Sequence, residues 1–476
     1  MAVHFFIFPT GGERTSRTPC TGAKKGNKMK ASMKLGIAGL CGLVVSSMMG
    51  SGVFSLPQNM ASAAPADAVL TAWLITGLGM FFIAETFRIL SNIKPHLTAG
   101  IFAYARDGFG KRAGFFIAWG YWLSNVFSNI AMAVIMMEAL NYFFKGFFTG
   151  GNNINALLLS SFIIWAFMLL IMKGIKTAAV INLFGTIAKI MPLVFFIIVA
   201  FIMFKWDVFK TGLFNNLTFE GFSFKTLIGD VRSTMVVTLW CFIGIESAVV
   251  LSGRAKEQSY VAKATLLGFL SCLGVYMLIS LLPFGFLTRA EITSYANPST
   301  AGVLEAAIGK TGAVIMNLGL IISVLFAWLS WELISIEAPF AAAKEGTFPK
   351  IFAKENKNAA PTFSLLITTI GMQCALFIAF FSANAWDTML NITAVMILPA
   401  YLVTTLYLIR NSRAKHFRRE WGLSKGKLMI TGVLGSIYAL WLIYAADLKY
   451  LAMALIFFAA GIPIFLVAQK ERKSAK

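Results

Sequence analysis

Continuous apolar runs, rather than alternating apolar and polar positions, organise this chain. Reading for runs bounded by charges or by Pro/Gly clusters gives twelve. They lie at 35–60, 68–91, 113–143, 154–173, 177–204, 232–252, 261–287, 311–344, 361–382, 385–409, 428–446 and 448–469. A helix needs roughly 20 predominantly apolar residues to cross a hydrocarbon core about 30 Å thick. Each run is of that order, so the pattern predicts an all-α integral membrane protein with twelve transmembrane helices. The two longest runs leave room for tilted or re-entrant pieces.

Composition supports this class. Of 476 residues, 58% are hydrophobic and 13% charged, too little charge to cover a soluble domain of this length. The net charge of +21 raises nucleic-acid binding as a reading, but its placement argues against it. Place both termini in the cytoplasm: the two tails and the loops 88–112, 173–176, 254–263, 344–357 and 410–427 then hold 32 of the 41 lysines and arginines. The opposite loops hold 8, and Lys189 falls inside a helix. Such asymmetry is the positive-inside pattern, and it orients a multi-pass protein in a bacterial inner membrane with lipid as its surroundings.

Residues 1–34 lack the order of a signal peptide, because their basic residues follow a short apolar start. They are expected to form a disordered cytoplasmic tail, and Met29 and Met33 are plausible alternative starts. Cys41, Cys241, Cys272 and Cys374 fall in apolar runs, Cys20 in the tail, and His4, His96 and His416 are scattered. No spacing suggests a metal, a disulfide framework or a cofactor. A membrane enzyme would need a nucleophile–base pair or a metal cluster at one depth, and none is evident.

Two runs contain features that a plain anchor would not need. The first carries Met48-Met49-Gly50-Ser51-Gly52-Val53-Phe54, with Pro57 a turn later. Two glycines flanking a serine weaken helical continuity and uncover the backbone. The sixth carries Leu239-Trp240-Cys241-Phe242-Ile243-Gly244-Ile245-Glu246-Ser247, with Gly and Glu at mid-membrane. Close packing of small residues would account for either glycine pattern alone. The pairing favours another reading, because breaks at corresponding places in two halves point to a carrier's binding site. A half-helix N-terminus after Gly50–Gly52 suits a carboxylate. Carbonyls at the end of the half-helix before Ile243 suit an ammonium group. Together they predict an amino-acid-like substrate.

At these residues the chain resembles the amino acid–polyamine–organocation superfamily, in particular its basic amino acid/polyamine antiporters. Further matching stretches are Ala103-Tyr104-Ala105-Arg106 with Phe109-Gly110, Ser128-Asn129-Ile130-Ala131-Met132, and Ala342-Ala343-Lys344-Glu345-Gly346-Thr347-Phe348-Pro349. The resemblance implies a five-plus-five inverted repeat (LeuT-like) with helices 1 and 6 broken. The expected division is the 1–34 tail, a ten-helix transport core over 35–409, a basic loop over 410–427, helices 11 and 12 over 428–469, and a tail over 470–476.

The resemblance also implies roles. Ser51 and Gly52 would hold the substrate carboxylate, and the carbonyls of Met48, Trp240 and Ile243 its amine. Trp240 and Trp331 would contact the side chain, with Asn129 and Met132 at its distal end. Tyr121 and Glu246 would belong to an inner gate. Thr393 and Tyr401 fall at guanidinium and gate positions, although Pro399 is displaced by one from the expected pattern. Asn125 replaces a smaller residue, and Glu332 adds a carboxylate beside Trp331. Lys189 is expected to substitute for a sodium ion between helices 1, 5 and 8, making transport sodium-independent. Glu85 is explained by Arg88 three positions on, and Glu138 and Glu337 have no assigned role.

The activity so implied is antiport of external arginine for internal agmatine, small-molecule substrates with no nucleic acid, from a monomer or a homodimer. Arginine/ornithine exchange is the alternative, lysine/cadaverine exchange a further one. A sensor of the same fold would usually add a signalling domain, which the short tails do not offer.

Overall fold

The computed structural model describes residues 36–94, 97, 101–173, 178–214, 223–246, 258–413 and 424–474. Among them the chain is helical apart from turns and one bridge between Glu355 and Pro361. The helices are α1 (Ile37–Met48), α2 (Leu56–Ala63), α3 (Ala66–Ile93), α4 (Ile101–Phe143), α5 (Ile154–Met172) and α6 (Ala178–Met203). There follow α7 (Trp206–Phe214), α8 (Phe224–Phe242), α9 (Gln258–Leu281), α10 (Arg289–Ser294), α11 (Ser299–Ile308) and α12 (Lys310–Lys344). The last five are α13 (Thr362–Phe380), α14 (Ala385–Ser412), α15 (Lys425–Ala445), α16 (Leu448–Ala460) and α17 (Ile462–Ser474).

Among the described residues, nine helices are long and apolar enough to cross a membrane, or eleven spans if each of two bent pairs is one. One pair bends by 52° between Leu40–Met48 and Ser51–Ala63, the other by 94° between Lys189–Met203 and Trp206–Leu213. The expected run 232–252 is represented by α8, while residues 247–257, Ser247 included, lie outside the described residues. The N-terminal tail 1–34 and most of the basic loop 410–427 lie outside them too.

Local chemistry sets the helix ends. Asn153, Ser223, Asn384 and Ser424 each accept a backbone N–H three residues on, capping α5, α8, α14 and α15. Thr288 and Glu291 form a reciprocal capping box that starts α10. Gly110, at φ +87°, interrupts α4 so that a short leading segment turns into the long span.

Packing separates interior from periphery. The apolar window of α4 is 83% buried and that of α14 72%, against 28% for α5 and 22% for the α16–α17 span. Apolar side chains such as Leu158, Phe162 and Leu169 of α5 face outward, as a lipid-facing helix requires. Small residues bring the inner helices together: a Cβ on Gly79 would lie 2.2 Å from the Tyr438 ring.

Both ends of the bundle are tied. At one, Arg289 Nε donates to the Ala61 carbonyl at 2.7 Å, at the end of α2. There Gln58 N donates to Ser299 Oγ at 3.1 Å, and Thr300 Oγ1 to the Phe54 carbonyl at 3.0 Å. At the other, Arg106 pairs with Glu345 at 2.9 Å and donates to its carbonyl at 2.7 Å. Two separated sequence motifs, 103–110 and 342–349, thus meet through one guanidinium. Burial pushes the Glu345 carboxyl up, and Arg106 pulls it part of the way back. The C-terminal segment expected as a tail over 470–476 continues as helix to Ser474. There Glu471 accepts from Lys350 N at 2.8 Å and Arg472 donates to the Gly346 carbonyl at 3.2 Å.

Candidate substrate site

The two helix breaks expected from the glycines face each other. α1 stops at Met48, Gly50 is extended at φ −83° and ψ −161°, and a 3-10 turn over Ser51–Ser55 leads into α2. α8 stops at Phe242, Ile243 is extended, and Gly244 has φ +107°. That left-handed conformation favours glycine, and space demands it as well. A Cβ on Gly244 would sit 2.6 Å from the Ser47 carbonyl oxygen. Ser47 Oγ donates to the Gly244 carbonyl at 3.2 Å, joining one break to the other.

Between the breaks lies a cavity of about 30 Å³, room for one or two water molecules. Of the residues expected at the site, Met48, Ser51, Gly52, Met132, Trp240, Ile243 and Trp331 line it. The Ser51 hydroxyl is buried without a hydrogen-bond partner among the described residues. The indole of Trp240 covers Gly52 and meets Trp386 edge to face, with centroids 5.0 Å apart. A cargo the size of an amino acid fits only if these walls shift.

The expected amine acceptors are partly engaged. The Met48 carbonyl accepts from Gly50 N at 2.9 Å and from Tyr276 Oη at 2.8 Å. The Trp240 carbonyl accepts from Ile243 N at 3.3 Å. An incoming ammonium would therefore compete with Tyr276 for Met48.

Asn125, Asn129 and Thr393 do not line the cavity. Asn129 Nδ2 donates to the Asn125 carbonyl at 2.7 Å and to Ser335 Oγ at 3.0 Å, fixing α4 to α12. The Thr393 carbonyl accepts from Ser124 Oγ at 2.8 Å, fixing α4 to α14. Tyr121, Glu246 and Tyr401 do come together. Tyr401 Oη donates to Glu246 Oε2 at 3.2 Å, Gly244 N donates to the same oxygen at 3.1 Å, and Tyr121 is within hydrogen-bonding reach. Lys189 is buried on α6, and its ammonium donates to the Ser46 carbonyl at 3.0 Å, beside Cys272 of α9.

Paired breaks, a cavity between them and a bundle of apolar spans are the anatomy of a carrier. Residues 35–467 match the amino acid permease family. The chain belongs to that family. The permease is 52% identical over 451 residues to an arginine/agmatine antiporter of Chlamydia pneumoniae, covering 94% of this chain and 93% of that one. It is 50% identical over 454 residues to an antiporter of the same name from Chlamydia felis, with the same coverage. For that of Chlamydia trachomatis serovar D, the figure is 50% over 442 residues, covering 93% of the permease and 91% of the relative. Among solved structures, a manganese transporter of Eremococcus coleocola shares the fold, with TM-score 0.55 at 14% identity over 95% of the permease and 98% of that chain.

Sequence reasoning missed several walls of the permease cavity: Ser47, Val53, Ser128, Cys241 and Tyr276. Tyr276 is the one tyrosine of the run 261–287, and its polar tip among mostly apolar neighbours was the available signal for it. Ser47 carried none, since its role depends on a carbonyl far along the chain. Glu85 behaves as expected, pairing with Arg88.

Proposed function

We propose that this permease exchanges external arginine for internal agmatine by alternating access. The observation that carries the reading is the identity of about half over more than nine-tenths of chains named arginine/agmatine antiporter. The geometry supports it in two ways. Ser51 offers an unpaired hydroxyl beside the start of a half-helix, where a carboxylate is favoured. Trp240 and Trp331 line the cavity, and an aromatic ring attracts a nearby cationic side chain by about 0.5–2 kcal/mol. Attraction of that size lets a carrier release what it binds, whereas a buried salt bridge costs heavily to desolvate.

On this reading the fold is a twelve-helix, five-plus-five inverted repeat, in a bacterial inner membrane with both termini cytoplasmic. Met48, Ser51, Gly52, Trp240 and Ile243 hold the amino-acid head group. Trp331, Met132, Asn125, Asn129 and Thr393 surround the distal end once the walls part. Tyr121, Glu246 and Tyr401 form the inner gate. Lys189 places a fixed positive charge against α1, where a sodium ion would otherwise be needed, and exchange is sodium-independent. The deciding experiment is uptake of labelled arginine into proteoliposomes loaded with agmatine, ornithine or nothing. Agmatine should drive the fastest uptake. Equal uptake into empty vesicles would rule out obligate exchange, and a preference for ornithine would replace the counter-substrate.

A further inference from the structure

We propose that Glu332 is a charge-selectivity residue of this permease, supplying the negative charge that favours a cationic cargo over its neutral isostere. The inference rests on the reading of the cargo as basic. On α12, Trp328, Trp331, Glu332 and Ser335 follow the spacing of one helical face, and all four are buried. Trp331 borders the cavity, and Ser335 Oγ accepts from Asn129 Nδ2 at 3.0 Å. Glu332 thus sits between a wall of the site and the α4 contact behind it.

Its side chain is 0% exposed, and among the described residues neither carboxyl oxygen has a hydrogen-bond partner. Burying a carboxyl without a partner is costly, and burying a carboxylate without a cation more so. Other buried polar atoms of α4, α12 and α14 also lack a partner among the described residues: Asn129 Oδ1, the Thr393 hydroxyl and, as donors, Asn125 Nδ2 and Trp328 Nε1. Thr393 is held to α4 through Ser124, one residue before Asn125. The Glu332 carboxylate thus presents two acceptor oxygens that no N–H of the described residues satisfies. A guanidinium carries five N–H donors in a planar fork and no acceptor, which is the complement of that set. An ammonium offers three. A urea or an amide brings its own carbonyl oxygen and no charge, and gains less. The cavity must widen to admit an amino acid at all, and Glu332 directly follows Trp331, which lines it.

The test compares binding of arginine and of citrulline, its uncharged isostere, to the purified full-length permease. The wild type should prefer arginine. In Glu332→Gln the preference should fall by about tenfold or more, the scale of a charge-assisted hydrogen bond, with citrulline affinity little changed. Glu332→Asp, which keeps the charge on a shorter arm, should give an intermediate ratio. A structural role would weaken both ligands alike and leave the ratio unmoved, and that result in a folded Glu332→Gln carrier overturns the proposal. If Glu332→Gln does not fold, an unchanged ratio in Glu332→Asp overturns it instead. A wild type that binds neither ligand would overturn the basic-cargo reading itself, an outcome distinct from either.

Discussion

The indole of Trp240 lies on Gly52, so close that a Cβ built on the glycine would stand 2.0 Å from Cζ3 of the ring. One residue comes from the first helix break and the other from the end of α8. The glycine is therefore required by what covers it as well as by the backbone.

Gly52→Ala should force that ring away and close off part of the site. Overpacking of this kind costs about 1–3 kcal/mol, so arginine affinity should fall on the order of tenfold or more in a carrier that still folds. Scintillation binding on purified protein measures this. Gly52→Ala combined with Trp240→Leu should recover part of the loss if the clash is the cause. Wild-type affinity in the single variant would refute the assignment.

Lys189 donates to the Ser46 carbonyl just before the break in α1. Lys189→Ala should lower exchange by about tenfold or more, since hydrogen bonds from charged groups are worth about 1.5–3 kcal/mol. The wild type should exchange equally well when external sodium is replaced by choline. Undiminished exchange by the alanine variant would remove Lys189 from the mechanism, and sodium dependence in the wild type would remove its role as a fixed cation.

Tyr401 Oη reaches Glu246 Oε2 from α14. Tyr401→Phe deletes only that hydroxyl, so arginine affinity should hold within about threefold while the exchange rate changes by several-fold, the scale of one hydrogen bond. Paired measurements of equilibrium binding and initial exchange rate separate the two. A loss confined to binding would place Tyr401 at the substrate and not at a gate.

Arg106 and Glu345 join two segments distant in sequence. Arg106→Ala should lower the thermal midpoint in detergent, and by more at pH 8 than at pH 5. The sign follows from Glu345. Its carboxyl is held above the usual range by burial and drawn back by Arg106, so the pair contributes when that carboxyl is ionised and fades as falling pH protonates it. Equal destabilisation at both pH values would assign the effect to the hydrogen bonds from Arg106 to the Glu345 carbonyl and to Thr347.

Much of the bundle was legible because continuous apolar runs impose helix length directly. The breaks were legible because Gly50, Gly52 and Gly244 stand where a membrane helix gains nothing from glycine. The trio Tyr121, Glu246 and Tyr401 was reached only through family likeness, since nothing local links positions so far apart. What stayed hidden depends on backbone groups met across the fold. Lys189 was expected against helix 1 through family likeness, but the particular carbonyl it meets, and the Met48 oxygen that Tyr276 takes, leave no pattern in the chain. The sharp turn into α7 also escaped, because a short amphipathic helix at the end of a span has the composition of an ordinary loop.

The stitches from Arg289, Ser299 and Thr300 to the stretch 54–62 bear on how cargo gets in. A flap sewn along its length to the piece it shields does not lift alone. Any displacement of α2 must drag α10 and α11 along, so a reagent that staples that corner to its surroundings would restrain all three helices without touching the cavity.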